Sequence, residues 1–72
     1  MASVELPIRR SSNISSASYD SDKQELTIYY RSGGVYVYSP VFPAVAQGLS
    51  QAESPGKFVN QNIKQAQFQR LR

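Results

Sequence analysis

The sequence has no cysteine, no histidine and no tryptophan among its 72 residues. Without cysteine no disulfide framework, thiolate zinc site or thiol nucleophile can be built, and without histidine there is no imidazole base. Most small secreted scaffolds and most compact catalytic sites are thereby excluded. Long apolar runs are missing as well. The longest candidate, Val41 to Ala46, is broken by Pro43 and falls far short of the ~18 residues that a membrane span needs. Met1 to Arg10 also lacks the apolar stretch of a signal peptide, so the composition predicts a soluble, cytoplasmic chain with no membrane partner.

What remains is enough for one small core. Hydrophobic residues make up 40% of the chain, with five tyrosines and three phenylalanines, which argues against wholesale disorder. A chain this short buries only about 60% of the surface its unfolded form exposes, so the stability margin is narrow. The formal charge of +3 is mildly basic, and its placement tells more than its size. Arg9 and Arg10 lie near the start, Lys57, Lys64, Arg70 and Arg72 crowd the end, and Asp20, Asp22 and Glu25 cluster between. A polyanion would favour one end of the molecule.

Residues 1–11 show no sustained periodicity and carry Pro7, which reads as a flexible arm with no assigned structure. Ile14 to Tyr19 is a weak, Ser-rich first strand, closed by Asp20-Ser21-Asp22-Lys23, whose side chains can bond their own backbone in a turn. Glu25 to Arg31 is the clearest strand, with Leu26, Ile28 and Tyr30 alternating with Thr27, Tyr29 and Arg31. Ser32-Gly33-Gly34 turns the chain into a third strand, Val35 to Tyr38. A three-residue loop ending in a left-handed Gly34 pairs Arg31 with Val35, Tyr30 with Tyr36 and Ile28 with Tyr38. That puts Tyr36 and Tyr38 on the packed face. A two-residue loop slips the register by one and moves both tyrosines to the side of Tyr29 and Arg31. Pattern alone leaves both open.

Ser39-Pro40 and Pro43 mark a helix start, followed by an apolar stripe of Phe42, Val45, Leu49 and Ala52 that Gly48 weakens. Ser54 is placed to cap a second helix with Pro55 at its first position. Val59, Ile63 and Ala66 would face the sheet, and Lys57, Asn60, Gln61 and Lys64 the solvent. The tail from Gln65 alternates loosely, a pattern that fits a short C-terminal strand. The fold expected is therefore α+β, a three-stranded antiparallel meander followed by two short helices packed on one face.

In this order the features resemble the KTSC domain, a short module found at the C-terminus of some lysyl-tRNA synthetases and as a free-standing bacterial protein. The matching stretches are Ser12 to Asp20, Leu26-Thr27-Ile28-Tyr29-Tyr30, and Ser32 to Tyr38 with its Tyr36-Val37-Tyr38. Gly56-Lys57-Phe58-Val59-Asn60, Ile63-Lys64 and Phe68 follow. The resemblance covers residues 12–72 and leaves out only the arm. The chain departs from the family pattern at Phe42, where a second proline is common, and at Val37, where a polar residue is common. The resemblance favours the three-residue loop, and its setting beside a tRNA-charging enzyme implies RNA as a partner without implying a mechanism.

An enzyme reading finds little support. Eleven serines have no histidine to activate them, and Asp20 with Asp22 is a turn pair that falls short of a calcium site, so no catalytic residue, metal or cofactor is assigned. The expectation is a binding module. Weak RNA or single-stranded nucleic-acid binding would use Lys57, Asn60, Lys64, Arg70 and Arg72 with help from Arg31 and Tyr29. The competing expectation is a protein-interaction module using an exposed strand edge or the face of Tyr29, Val35 and Val37.

Overall fold

A computed structural model of the chain describes residues 3–63 and 67–71. Five strands, β1 (Ser3–Leu6), β2 (Ile14–Asp20), β3 (Glu25–Tyr30), β4 (Val35–Ser39) and β5 (Gln67–Arg70), form one antiparallel sheet in sequence order. Helix α1 (Pro43–Gln51) and helix α2 (Pro55–Phe58) lie between β4 and β5, and α2 runs on as a π-helical turn over Val59–Ile63. This is the expected α+β arrangement with the meander extended on both sides. The tail supplies β5, and the arm given no structure supplies β1, paired from Ser3↔Asp20 to Leu6↔Ala17. β1 is nearly featureless as a pattern. It forms because β2 would otherwise leave a row of unpaired backbone groups.

The weakness of the β2 pattern has a local cause. Ile14 and Ala17 are both buried although three residues apart, which a regular strand forbids. The register shift between Ile14 and Ser16 inserts an extra residue and turns Ala17 and Tyr19 back toward the core. Asp20 then closes the turn as its position implied, its Oδ1 accepting from the backbone N–H of Asp22 at 3.0 Å and of Lys23 at 3.3 Å.

The β3–β4 loop has three residues, but they are Arg31, Ser32 and Gly33, with Gly33 rather than Gly34 in the left-handed region at φ 104°. The pairs are Tyr29↔Val35, Ile28↔Tyr36 and Leu26↔Tyr38, displaced by two from those expected. The displacement is even, so faces are preserved: Leu26, Ile28, Tyr30, Tyr36 and Tyr38 share the helix side.

The core joins Ile14, Ala17, Tyr19, Leu26, Ile28 and Tyr38 of the sheet to Val41, Ala46, Leu49, Val59 and Ile63. Two helix expectations need correction. Phe42 is not part of the apolar stripe. It stands at the N-cap in extended conformation, outside the helical phase, and is 62% exposed, while Ala46 takes the buried place. Ser54 occupies the N-cap of α2, but its hydroxyl makes no capping bond, and its carbonyl accepts from Phe58 N–H at 3.0 Å. Gly48 gives room rather than only weakness, since a Cβ there would stand 2.9 Å from the Phe58 ring. Ala66 lies outside the described residues.

Candidate functional site

The helices cover only part of the sheet's inner face. Beyond them β3, β4 and β5 carry a second group of inward side chains, almost entirely aromatic, and no helix residue among those described lines the surface they form. Strand pairing sets Tyr38 against Phe68 and Tyr36 against Arg70. The rings touch in sequence: Tyr30 meets Tyr36 edge-on at 5.4 Å, and Phe68 lies 5.6 Å from Tyr36 and 5.8 Å from Tyr38. The Arg70 guanidinium sits over the Tyr36 ring, 5.7 Å from its centroid. Together with the turn from Ser32 to Gly34 these side chains line an open groove of about 760 Å³.

The groove is graded from fixed to accessible. Tyr38 is 2% exposed and holds the floor, its hydroxyl 2.9 Å from that of Tyr30, whereas Phe68 at the edge is 59% exposed. Burial, then the bond to Tyr38 and the neighbouring Tyr36, raises the Tyr30 hydroxyl well above its usual range, so it stays a neutral donor and acceptor. Burial also raises Tyr19, with Asp20 adding to it, and Tyr19, which does not line the groove, donates to the carbonyl of Val41.

A second surface adjoins the first. Ser11 Oγ accepts from the N–H groups of Asn13 and Ile14, and its carbonyl accepts from Arg31 Nε at 2.6 Å. The Arg31 N–H donates in turn to the carbonyl of Asn13 at 2.8 Å. This stitched loop lies against Gly56, where a Cβ would come within 3.2 Å of the Asn13 amide nitrogen. Two polar hollows result, one of about 260 Å³ bordered by Arg31 and Asn60, the other of about 320 Å³ bordered by Arg10, Lys57 and Asn60.

The candidate residues are thus redistributed. Lys57 and Asn60 do stand together, both exposed as expected. Arg31 flanks them with its Nε already engaged. Arg70 is elsewhere, in the aromatic groove, so among the described residues the C-terminal cations do not form one cluster. Tyr29 is 42% exposed on the opposite face, because successive residues of a strand point to opposite sides. Lys64 and Arg72 lie outside the described residues. Sequence reasoning missed Tyr30 and Phe68. The signal was present in the tail, where Phe68 and Arg70 alternate like Tyr36 and Tyr38, but only the pairing of β4 with β5 joins the two.

The same chain matches the family model of the KTSC domain over residues 10–68. The chain belongs to the KTSC family. A KTSC domain protein from Yersinia pestis superposes with a TM-score of 0.89 at 32% identity, covering 99% of this chain and 100% of that one. An uncharacterised protein of Stutzerimonas stutzeri is 40% identical over 55 residues, 76% of this chain and 78% of its own length. A lysine–tRNA ligase of Nostoc punctiforme is 45% identical over 47 residues, which span 65% of this chain but 8% of the ligase. In this KTSC domain no helix among the described residues is long and apolar enough to cross a membrane, and no group of three or more acidic residues gathers as a metal would require.

Proposed function

We propose that this KTSC domain is a non-catalytic module that binds single-stranded nucleic acid in the groove of Tyr30, Tyr36, Tyr38 and Phe68. The observation that carries the reading is the Arg70 guanidinium over Tyr36 beside an exposed Phe68. Aromatic rings on an uncovered part of a sheet stack with unpaired bases, each stack worth about 1–3 kcal/mol, and a neighbouring arginine reaches the phosphate. A net charge of +3 supports long-range attraction to a polyanion. The match to a segment of a lysine–tRNA ligase supports RNA as the natural strand. With few phosphate contacts the dissociation constant would be on the order of 10⁻⁴ to 10⁻⁶ M.

A second reading is favoured by one row on the opposite face. Tyr29 and the exposed Leu71 flank a buried Val35 there, with Leu71 N–H donating to the Val35 carbonyl, and a protein partner would take the two exposed side chains. Backbone chemical-shift titration with a short oligoribonucleotide, and separately with inorganic polyphosphate, separates the two. Shifts at Tyr36, Phe68 and Arg70 are expected with the oligonucleotide, and at Arg70 without the two rings with polyphosphate. No binding at low salt would remove the nucleic-acid reading.

A further inference from the structure

Resting on the nucleic-acid reading of the groove, we infer that the strand does not end there but runs over the Tyr30–Ser32 rim into the polar hollows, so that the domain has a two-part site. Continuity of the surface is the ground for it. Tyr30 and Ser32 border both the groove and the hollow beside Arg31, and Asn13, Gly56 and Asn60 border both that hollow and the one beside Lys57.

The chemistry changes along the path as a single strand's own chemistry requires. Stacking surface dominates the groove. Amide and hydroxyl groups of Asn13, Asn60 and Ser32 follow, suited to sugar and base edges, and then come the cations Arg10 and Lys57, with Glu53 lining the same hollow. Arg31 stands at the junction. Its Nε bond to the Ser11 carbonyl fixes the guanidinium plane at the wall of the hollow, so little side-chain freedom is lost when a phosphate arrives. The bases are thus held at one end and the backbone at the other. The molecule measures 29 Å in its longest dimension, which limits the bound strand to about four to six nucleotides.

A length series of oligouridylates, from about two to about eight nucleotides, tests this by fluorescence anisotropy at low salt. Affinity should climb up to about four to six nucleotides and then level off. The double variant Arg10→Gln with Lys57→Gln should bind the longer oligomers roughly three- to tenfold more weakly and reduce the salt slope by about 0.7 for each phosphate lost, while dinucleotide binding stays unchanged. Both changes are on the surface, and an unaltered melting temperature would show the fold intact. Equal affinity of the double variant and the parent for long oligomers, or affinity independent of length, would overturn the two-part site and leave the groove reading standing. Failure of every oligomer to bind would overturn both.

Discussion

The guanidinium of Arg70 lies 5.7 Å from the centre of the Tyr36 ring, across the β4–β5 pair that brings residues 36 and 70 opposite each other. The contact orders a long side chain on an edge strand and leaves Phe68 as the accessible ring. Charge and stacking surface therefore meet at one place lined, among the described residues, by strands and a turn.

The two terms should separate by mutation. Phe68→Ala is expected to weaken oligonucleotide binding by about 1–3 kcal/mol with the salt slope unchanged, since a stack carries no counterions. Arg70→Gln should lower affinity and flatten the slope by about 0.7. Tyr29→Ala, on the opposite face, should do neither. Anisotropy titrations at several salt concentrations measure all three.

Tyr36 and Tyr38 differ in what they hold. Tyr38 is buried in the core and bonded to Tyr30, so Tyr38→Ala should cost about 3 kcal/mol or more and come close to unfolding so small a domain. Tyr36 is half-buried, and its loss should cost clearly less. Urea denaturation followed by circular dichroism gives the order, and a larger loss for Tyr36 would contradict the assigned packing.

Gly48 lies inside α1, where alanine would ordinarily gain about 1 kcal/mol of helix propensity. Here a Cβ would meet the Phe58 ring at 2.9 Å, so Gly48→Ala should instead destabilise by about 1 kcal/mol through overpacking. With Phe58→Leu already in place the same change should become neutral or favourable. A double-mutant cycle in urea reads the coupling directly.

Alkaline stability follows from the raised tyrosines. The Tyr19 and Tyr30 hydroxyls ordinarily titrate at 10.0, and both hold their protons more tightly when folded. Their contribution is complete below that value, where folded and unfolded chains are both protonated, and is lost as pH climbs above it toward the higher folded values. The urea midpoint should therefore be flat from neutrality to about pH 9 and fall beyond about pH 10. Tyr30→Phe should make that fall shallower.

The sequence by itself determined the α+β class, the β3 strand, the Asp20 turn and the two helix starts at Pro43 and Pro55. These are consequences of local periodicity, turn chemistry and proline geometry, which act over a few neighbours and survive even the two-residue displacement of the hairpin. Tertiary structure alone decided that Ser3–Leu6 becomes a strand and which edge the foreseen tail strand joins, because both edges are recruited by the backbone groups of partners distant in the chain. Tertiary structure also decided that Phe42 is exposed, and that Arg70 meets Tyr36 while Lys57 meets Asn60. Which cation stands beside which ring depends on strand order and register across the sheet, and neither is encoded in the spacing of residues along a single segment.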